Sequence, residues 1–173
     1  GKIQAEKMIE LFCKTIETRT FEKENTLYLI WLTRYFSENK KIDDKVFSFL
    51  EHNLLTGDEG RDNLKDSLST GINSIRGAAA SALVSYSFSK ESFGFIYSSL
   101  KTLANNSKPS TRAAAIYKMQ YLLQHGKDEV MELLLELAND FHPDILKVSI
   151  EPLQYLINHN FEGLIPFFKN AIK

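Results

Sequence analysis

The stretch Ser74–Leu83 reads SIRGAAASAL, in which a serine suited to starting a helix is followed by an arginine and a run of small residues. Ser110–Met119, STRAAAIYKM, repeats this order, and Ile145–Gln154, ILKVSIEPLQ, repeats its cation and the small residues that follow. The three cations fall in one column with separations of 36 and 35 residues: Arg76, Arg112 and Lys147. This spacing predicts an internal repeat of about 35 residues.

The segments that precede these stretches repeat as well. Leu100–Ser110, LKTLANNSKPS, aligns with Leu134–Asp144, LLELANDFHPD, at an offset of 34 residues. A unit of two helices in about 35 residues cannot bury both apolar faces alone, so neighbouring units must stack. The small residues let backbones approach closely while larger ones fill the space between layers. The small residues are Ala79, Ala80, Ala113 and Ala114. The larger residues are Leu83, Ile116 and Met119.

The whole chain favours an all-α fold. Its 173 residues include only 4 prolines and 8 glycines, 43% are hydrophobic, and strand-like alternation with turn pairs is absent. Apolar periodicity predicts ten helices, with Asp43, Ser110, Asp128 and Asp144 as N-caps. The predicted ranges are 3–18, 26–37, 43–55, 62–68, 73–87, 91–105, 110–124, 128–139, 144–158 and 162–172. The second of these is apolar almost all round, which favours a buried central position.

Ile72–Leu83 and His142–Leu153 resemble the second helix of HEAT repeats, in which a proline or turn residue precedes a hydrophobe, a cation and then an alanine. The resemblance covers roughly residues 64–173. It implies a right-handed α-solenoid of about four to five helical hairpins, with HEAT-like repeats over 67–173. Residues 1–66 are then an N-terminal helical segment, either a degenerate repeat or a cap. In that family the cation commonly pairs with a turn aspartate, and the equivalent positions here hold Thr70, Asn106 and Asp140.

Overall composition points to a protein without a membrane anchor. The 21 basic and 22 acidic residues nearly cancel, and the single cysteine, Cys13, fits a reducing compartment. The longest apolar run, Leu27–Leu32, is too short to cross a bilayer. We therefore expect a soluble, cytoplasmic protein. The apolar-periodic end LIPFFKNAIK predicts that the repeats are truncated at the C-terminus, as in a fragment of a longer protein.

No motif in the sequence indicates catalysis, a cofactor or a metal site. There is no nucleophile elbow, no phosphate loop and no His-Glu-x-x-His. The four histidines never occur at the spacing of a helical zinc site, and Cys13 falls on an apolar helix face as a small buried residue. Gly57–Asn63, GDEGRDN, lacks the spacing of a calcium loop and is interpreted as a solvated turn. The sequence thus predicts a protein that is not an enzyme and binds no cofactor.

Charge is distributed unevenly along the chain. Residues 67–127 hold seven cations and one anion, whereas residues 128–173 hold three cations and eight anions. Aromatic residues are interleaved with this basic block, a mixture that can contact phosphates and stack bases, or face an acidic protein partner. Solvated lysines and core aromatics are the plainer interpretation. The candidate partner-binding residues are Lys101, Lys108, Arg112 and Lys118, and the candidate structural repeat cations are Arg76, Arg112 and Lys147.

The leading hypothesis is a non-catalytic protein-interaction scaffold with a concave groove lined by the second helices of successive repeats. An alternative is a HEAT-like nucleic-acid-binding module that uses the basic block. A DNA-repair glycosylase of the small HEAT-repeat type is less favoured, because the net charge is −1 and the lone Trp31 falls in a helix predicted to be buried. A further alternative, from the similarity of GINSIRGAAA to helical-repeat regions of large bacterial NTPases, is a sensor or regulatory arm of such a protein.

Overall fold

Helices account for all the regular secondary structure that the computed structural model describes, which covers residues 2–36, 44–60, 66–86 and 90–172. Eleven α-helices and one 3-10 helix lie in these ranges. The α-helices are α1 (Lys2–Thr18), α2 (Lys23–Phe36), α3 (Asp44–Thr56), α4 (Ser67–Ile72), α5 (Ile75–Ser85), α6 (Lys90–Lys101), α7 (Leu103–Asn106), α8 (Pro109–Ile116), α9 (Lys127–Leu137), α10 (Pro143–Ile157) and α11 (Phe161–Ala171); the 3-10 helix is Met119–Gln124. The prediction of an all-α chain is confirmed for the described residues.

Most predicted ranges agree with observed helices, and three differ in kind. The predicted helix 91–105 is divided into α6 and α7, with Thr102 between them. The predicted helix 110–124 is divided into α8 and the 3-10 helix, with Tyr117 and Lys118 between them. The predicted helix 62–68 begins outside the described residues, and the helix found there is α4. Helix α10 contains Pro152, and its range runs continuously through this proline.

The predicted N-caps are displaced from the observed ones. α8 and α10 start at prolines, Pro109 and Pro143, because proline's fixed φ suits the first helical position and its missing N–H costs nothing there. Ser110 and Asp144 therefore lie inside their helices and were wrong as caps. Asp128 was also wrong, because α9 begins at Lys127 and its N-cap is Gly126. Asp43 lies outside the described residues. Side chains that do cap helices include Asp66, Ser74 and Asn160.

Helices pack against partners that are close in chain order. α5 lies against α2 and α3, and α8 lies against α4, α5 and α10. α6 packs against α9, and the 3-10 helix contacts α5, α9 and α10. Successive second helices of the predicted hairpins, α2, α5, α8 and α10, therefore contact one another in sequence order.

The alanine-rich helices α5 and α8 form the centre of the molecule. Ala79, Ala80, Ala113 and Ala114 are fully buried, as are Leu83, Ile116 and Met119. Every residue from Ser110 to Ile116 is buried, and in α5 only Arg76 and Ser85 are partly exposed. These two helices consequently contribute almost no surface. Exposed side chains on the second helices come instead from α2, α10 and the segment that follows α8.

Helix α2 is not buried all round. Ile30 and Phe36 are in the core, but Tyr28 and Tyr35 are 64% and 72% exposed. Trp31 is half-buried and donates from Nε1 to the carbonyl of Ile72 at 3.4 Å. The predicted central position of this helix is therefore wrong, because α2 packs against α5 along one face and leaves the other open.

None of the described helices has the length and apolar character needed to cross a bilayer. The exposed face of α2 is consistent with this finding, since it combines its two tyrosines with Lys23, Glu24 and other polar side chains.

Candidate functional site

Arg112 is a buried cation that joins α8 to the end of α9. It is only 4% exposed, and its Nη1 donates to the carbonyl of Leu137 at 2.9 Å and to Oδ1 of Asn139 at 3.3 Å. Its Nη2 forms an ion pair with Asp140, in the turn after α9. A cation at the C-terminal carbonyls of a helix also interacts favourably with the helix dipole. Arg112 is thus part of the internal packing.

The contact with Arg112 lowers the pKa of Asp140. Burial alone would raise its pKa, but the hydrogen bonds from Arg112 and from the backbone N–H of His142 outweigh burial and hold the pKa below its ordinary value of 3.8. Of the three turn positions named by the HEAT resemblance, Asp140 is the one that pairs with a repeat cation. Thr70 lies inside α4 and bonds to the carbonyl of Asp66, and the side chain of Asn106 lies outside the described set.

Arg76 makes a similar contact, but with an earlier helix. Its Nε donates to the carbonyl of Leu54, in the last turn of α3, at 2.8 Å. Its Nη1 lies 3.2 Å from Oε1 of Glu59, and the same oxygen accepts from the backbone N–H of Lys108 at 3.0 Å. Glu59 therefore links the start of α5 to the start of α8. Its side chain is only 17% exposed, so the interpretation of this segment as a solvated turn is wrong for Glu59.

Lys108 is held at the same junction. It precedes Pro109 at the start of α8, and its Nζ donates to the carbonyl of Gly60 at 3.1 Å. Gly60 has a φ of 75°, a left-handed conformation that glycine adopts at little cost, and its N–H is bonded to Asp58. The third repeat cation, Lys147, differs from the other two, since it is exposed on α10.

Lys101 connects α6 to α9. From the end of α6 its Nζ reaches Oε1 of Glu132 and Oε1 of Glu136 on α9, each at 2.8 Å, and it lies 5.7 Å from the ring centroid of Tyr97. The hydrogen bonds to Glu132 and Glu136 raise the pKa of the lysine above its ordinary value. The basic middle block and the acidic C-terminal block are therefore in direct contact here.

Lys118 has a different environment. It is half-buried between α8 and the 3-10 helix, and within the described ranges no carboxylate lies at ion-pair distance from its ammonium. Burial first, and the positive charge of Arg34 second, lower its pKa. Burial also lowers the pKa of Arg34, and the neighbouring Tyr117 partly offsets that effect. Arg34 and Lys118, which are distant in the chain, thus both lie in a partly desolvated region.

Exposed aromatic residues accompany these two cations. Tyr35 follows Arg34 on α2, Tyr117 is 41% exposed beside Lys118, and Tyr121 is 54% exposed. The backbone N–H of Tyr121 bonds to the carbonyl of Lys118 at 3.0 Å, which places the two residues one turn apart. We call Arg34, Tyr35, Tyr117, Lys118 and Tyr121 the basic–aromatic cluster.

A buried tyrosine connects the two halves of the basic–aromatic cluster. The hydroxyl of Tyr86, at the end of α5, donates to the carbonyl of Thr33, one residue before Arg34. Burial raises the pKa of Tyr86, so it stays a neutral donor. Helix α5 therefore contacts both α2 and the 3-10 helix that contains Tyr121.

The four candidate partner-binding residues do not meet at one place. Lys108 and Lys118 lie at opposite ends of α8, whose eight residues span about 12 Å. Arg112 is buried between them, and Lys101 is paired with α9. Only Lys118 belongs to the basic–aromatic cluster, and it is joined there by Arg34, a residue that sequence reasoning missed.

The described residues carry no group of His, Cys, Asp and Glu side chains that could hold a metal ion. Cys13 is buried in the core, as predicted, and His159 contacts Asp128 at 2.8 Å. The basic–aromatic cluster combines exposed aromatic rings with half-buried cations.

We expect Glu59→Gln to lower the free energy of unfolding by about 2 kcal/mol, the scale of hydrogen bonds to charged groups. The amide keeps the shape of the side chain but removes the charge that faces Arg76 and the Lys108 N–H. Urea unfolding followed by circular dichroism measures the effect. Glu10→Gln, at an exposed position on α1, is the matched control and should stay within about 0.5 kcal/mol of the parent. Equal effects would show that Glu59 does not link the helices.

The chain matches no protein-family model, and it matches neither a curated protein nor a solved structure. The resemblance to HEAT repeats stays a prediction made from the residues of its second helices. The functional argument below is accordingly built from the geometry of the basic–aromatic cluster.

Proposed function

We propose that this chain is a non-catalytic protein-interaction scaffold, built as a HEAT-like, right-handed α-solenoid of four to five helical hairpins. The order of helix packing supports the solenoid, since α2, α5, α8 and α10 contact one another in chain order and α6 contacts α9. Contacts between successive second helices are the pattern of stacked repeats, although α4 packs mainly against α8 rather than against its neighbours in the chain.

The observation that carries the function is the basic–aromatic cluster. Tyrosine and arginine are enriched at protein interfaces because they combine a large apolar contact area with hydrogen-bonding groups. In this cluster three tyrosines are exposed beside two half-buried cations, and the residues come from both α2 and the segment after α8. A surface assembled from separate repeats is typical of scaffolds that recognise extended partners by distributed contacts.

The nucleic-acid alternative receives less support. A nucleic-acid surface gains its affinity from several cations that contact successive phosphates. Of the four cations considered for this role, Lys101 is paired with two glutamates, Lys108 with the Gly60 carbonyl and Arg112 with the end of α9. Lys118, the fourth of these cations, does not form a series of phosphate contacts by itself.

Selection of a phage-displayed random peptide library against the chain tests the proposal. We expect peptides whose affinity falls about tenfold or more in Tyr117→Ala and Tyr121→Ala, because both substitutions remove exposed aromatic contact area. Phe95→Ala is the control, since Phe95 is an aromatic residue on α6 that is 69% exposed, more than either tyrosine. A library that yields no binder, or binders that are indifferent to the two tyrosines, would contradict the proposed function.

A further inference from the structure

Helix α11 carries an apolar stripe that the described part of the chain leaves partly open. Phe161, Ile165, Phe168 and Ile172 are separated by four, three and four residues, which places them along one side of a helix. Phe161 is 56% exposed and Ile172 is 85% exposed, while the two residues between them are half-buried. We call these four residues the α11 stripe.

A different side of α11 attaches the helix to the protein. Leu164 and Phe167 are buried, and α11 packs mainly against α10. Because successive residues of a helix are about 100° apart, the α11 stripe lies next to this buried side and not on it. Folding of the chain therefore leaves apolar surface along the stripe, and contiguous exposed apolar residues are typical of contact surfaces.

The order of residues in the α11 stripe is complementary to itself when it is reversed. The spacing of four, three and four residues is the same in both directions. In an antiparallel pair of α11 helices, Phe161 of one copy faces Ile172 of the other, and Ile165 of one copy faces Phe168 of the other. Each contact then joins a phenylalanine to an isoleucine, at the spacing with which paired helices interdigitate.

Charge favours the same orientation. Glu162 and Lys169 are exposed, and each follows a phenylalanine of the α11 stripe by one residue, so both lie along the edge that is turned away from α10. In the antiparallel pair Glu162 of one copy lies near Lys169 of the other, and the twofold symmetry repeats this contact. A parallel pair would instead place each charge at the level of the same residue in the other copy. Opposite charges beside an apolar seam select the orientation of paired helices.

We propose that α11 is a dimerisation helix through which two copies of this chain pair, antiparallel about a twofold axis between Ile165 and Phe168. The 11 residues of α11 span about 16 Å, so the contact is small and the dimer dissociates in the micromolar range. A membrane surface matches α11 less well, since the helix holds one glutamate and one lysine and has no basic polar face. The dimer would present two copies of the basic–aromatic cluster in one assembly.

Two kinds of substitution test the pair. Phe161→Glu places a charge in the contact, at the first position of α11, where an acidic residue suits the helix dipole and the chain should still fold. Leu11→Glu is the matched control, because it makes the same change at a 66% exposed position on α1. Lys169→Glu brings two glutamates together across the contact, and the double exchange Glu162→Lys/Lys169→Glu restores opposite charges there.

Sedimentation equilibrium over about 5 to 500 µM protein measures the dissociation constant of the dimer. We expect a concentration-dependent dimer in the parent and in Leu11→Glu. The dissociation constant should rise about tenfold or more in Phe161→Glu, which loses an aromatic contact and buries a charge. It should rise about fivefold in Lys169→Glu and return to within about twofold of the parent in the double exchange.

Several results would overturn the inference. These are a chain that stays monomeric over this range, equal losses in Phe161→Glu and Leu11→Glu, or a double exchange that dimerises no better than Lys169→Glu. Phosphatidylglycerol vesicles are the further probe. A monomeric chain that sediments with these vesicles, and does so less in Phe161→Glu, would identify a membrane surface as the occupant of the stripe and refute the dimer. Peptide binding at the basic–aromatic cluster is measured separately, so the proposed function and the dimer fail independently.

Discussion

Gly71→Ala should destabilise the protein by about 3 kcal/mol or more, the upper range for overpacking a core. A Cβ atom at this position would lie 2.0 Å from the carbonyl oxygen of Ser110 and 2.8 Å from its carbonyl carbon. The atoms in conflict are backbone, so no side-chain rotation relieves the overlap, and α4 must move away from α8. Urea unfolding followed by far-UV circular dichroism measures the loss.

The matched control is Gly94→Ala in α6. A Cβ atom there meets nothing within 4 Å, and the position is exposed. Alanine is favoured over glycine inside a helix by about 1 kcal/mol, so this variant should be more stable than the parent. Opposite signs for the same substitution at the two glycines would show that close helix approach decides the effect. A tolerated alanine at position 71 would contradict the contact between α4 and α8.

Arg112→Met should lower the free energy of unfolding by about 3 kcal/mol, in the range measured when one partner of a buried ion pair is removed. Methionine keeps much of the apolar stem but leaves the Leu137 carbonyl, Asn139 and Asp140 without their common donor. The variant should also lose the tight connection between α8 and the end of α9. Denaturant unfolding gives the magnitude.

Lys147→Met is the control for Arg112→Met, because Lys147 stands in the same column of the sequence repeat but is exposed on α10. We expect this substitution to change stability by less than about 0.5 kcal/mol, as is usual for surface positions. Similar losses in both variants would mean that the repeat column, and not burial, determines the role of the cation.

The pH dependence of unfolding gives an independent check on the Arg112–Asp140 pair. The pKa of Asp140 is lower in the folded state than its ordinary value of 3.8. At acid pH the unfolded chain therefore binds more protons than the folded one. The stabilisation from this pair is complete above pH 3.8 and is lost as the pH falls through the folded-state pKa. Arg112→Met and Asp140→Asn should both lose this part of the acid dependence, and an unchanged acid profile in Asp140→Asn would contradict the pairing.

Much of the helical framework could be predicted because it depends on local periodicity. Apolar spacing placed most helices within a few residues, and the alanine runs correctly indicated the buried helices α5 and α8. Helix starts were less predictable, because a proline at the first helical position displaced the serine and aspartate caps of α8 and α10. The break after Ile116 has no equally clear local signal.

The candidate site was less accessible to sequence reasoning. The basic block suggested four cations as candidate binding residues. The net charge of a segment does not show which of its side chains form ion pairs or hydrogen bonds within the protein. Lys101 meets glutamates 31 and 35 residues away, and Glu59 meets an arginine 17 residues away. The one local signal for Glu59 was its place shortly after the end of α3, where an acid can reach a cation that caps the helix. Arg34 had no such signal, since its neighbour Lys118 is distant in sequence.

The sequence by itself determined that the chain is helical, that its alanine-rich segments are buried and that Arg76 and Arg112 recur at equivalent positions. These properties follow from periodicity and residue size, which act within one helix or one repeat. Only the tertiary structure decided which cations form hydrogen bonds and ion pairs inside the protein and which lie at the surface. That outcome depends on distances between residues far apart in the chain, and it leaves Lys118 beside Arg34 and three exposed tyrosines.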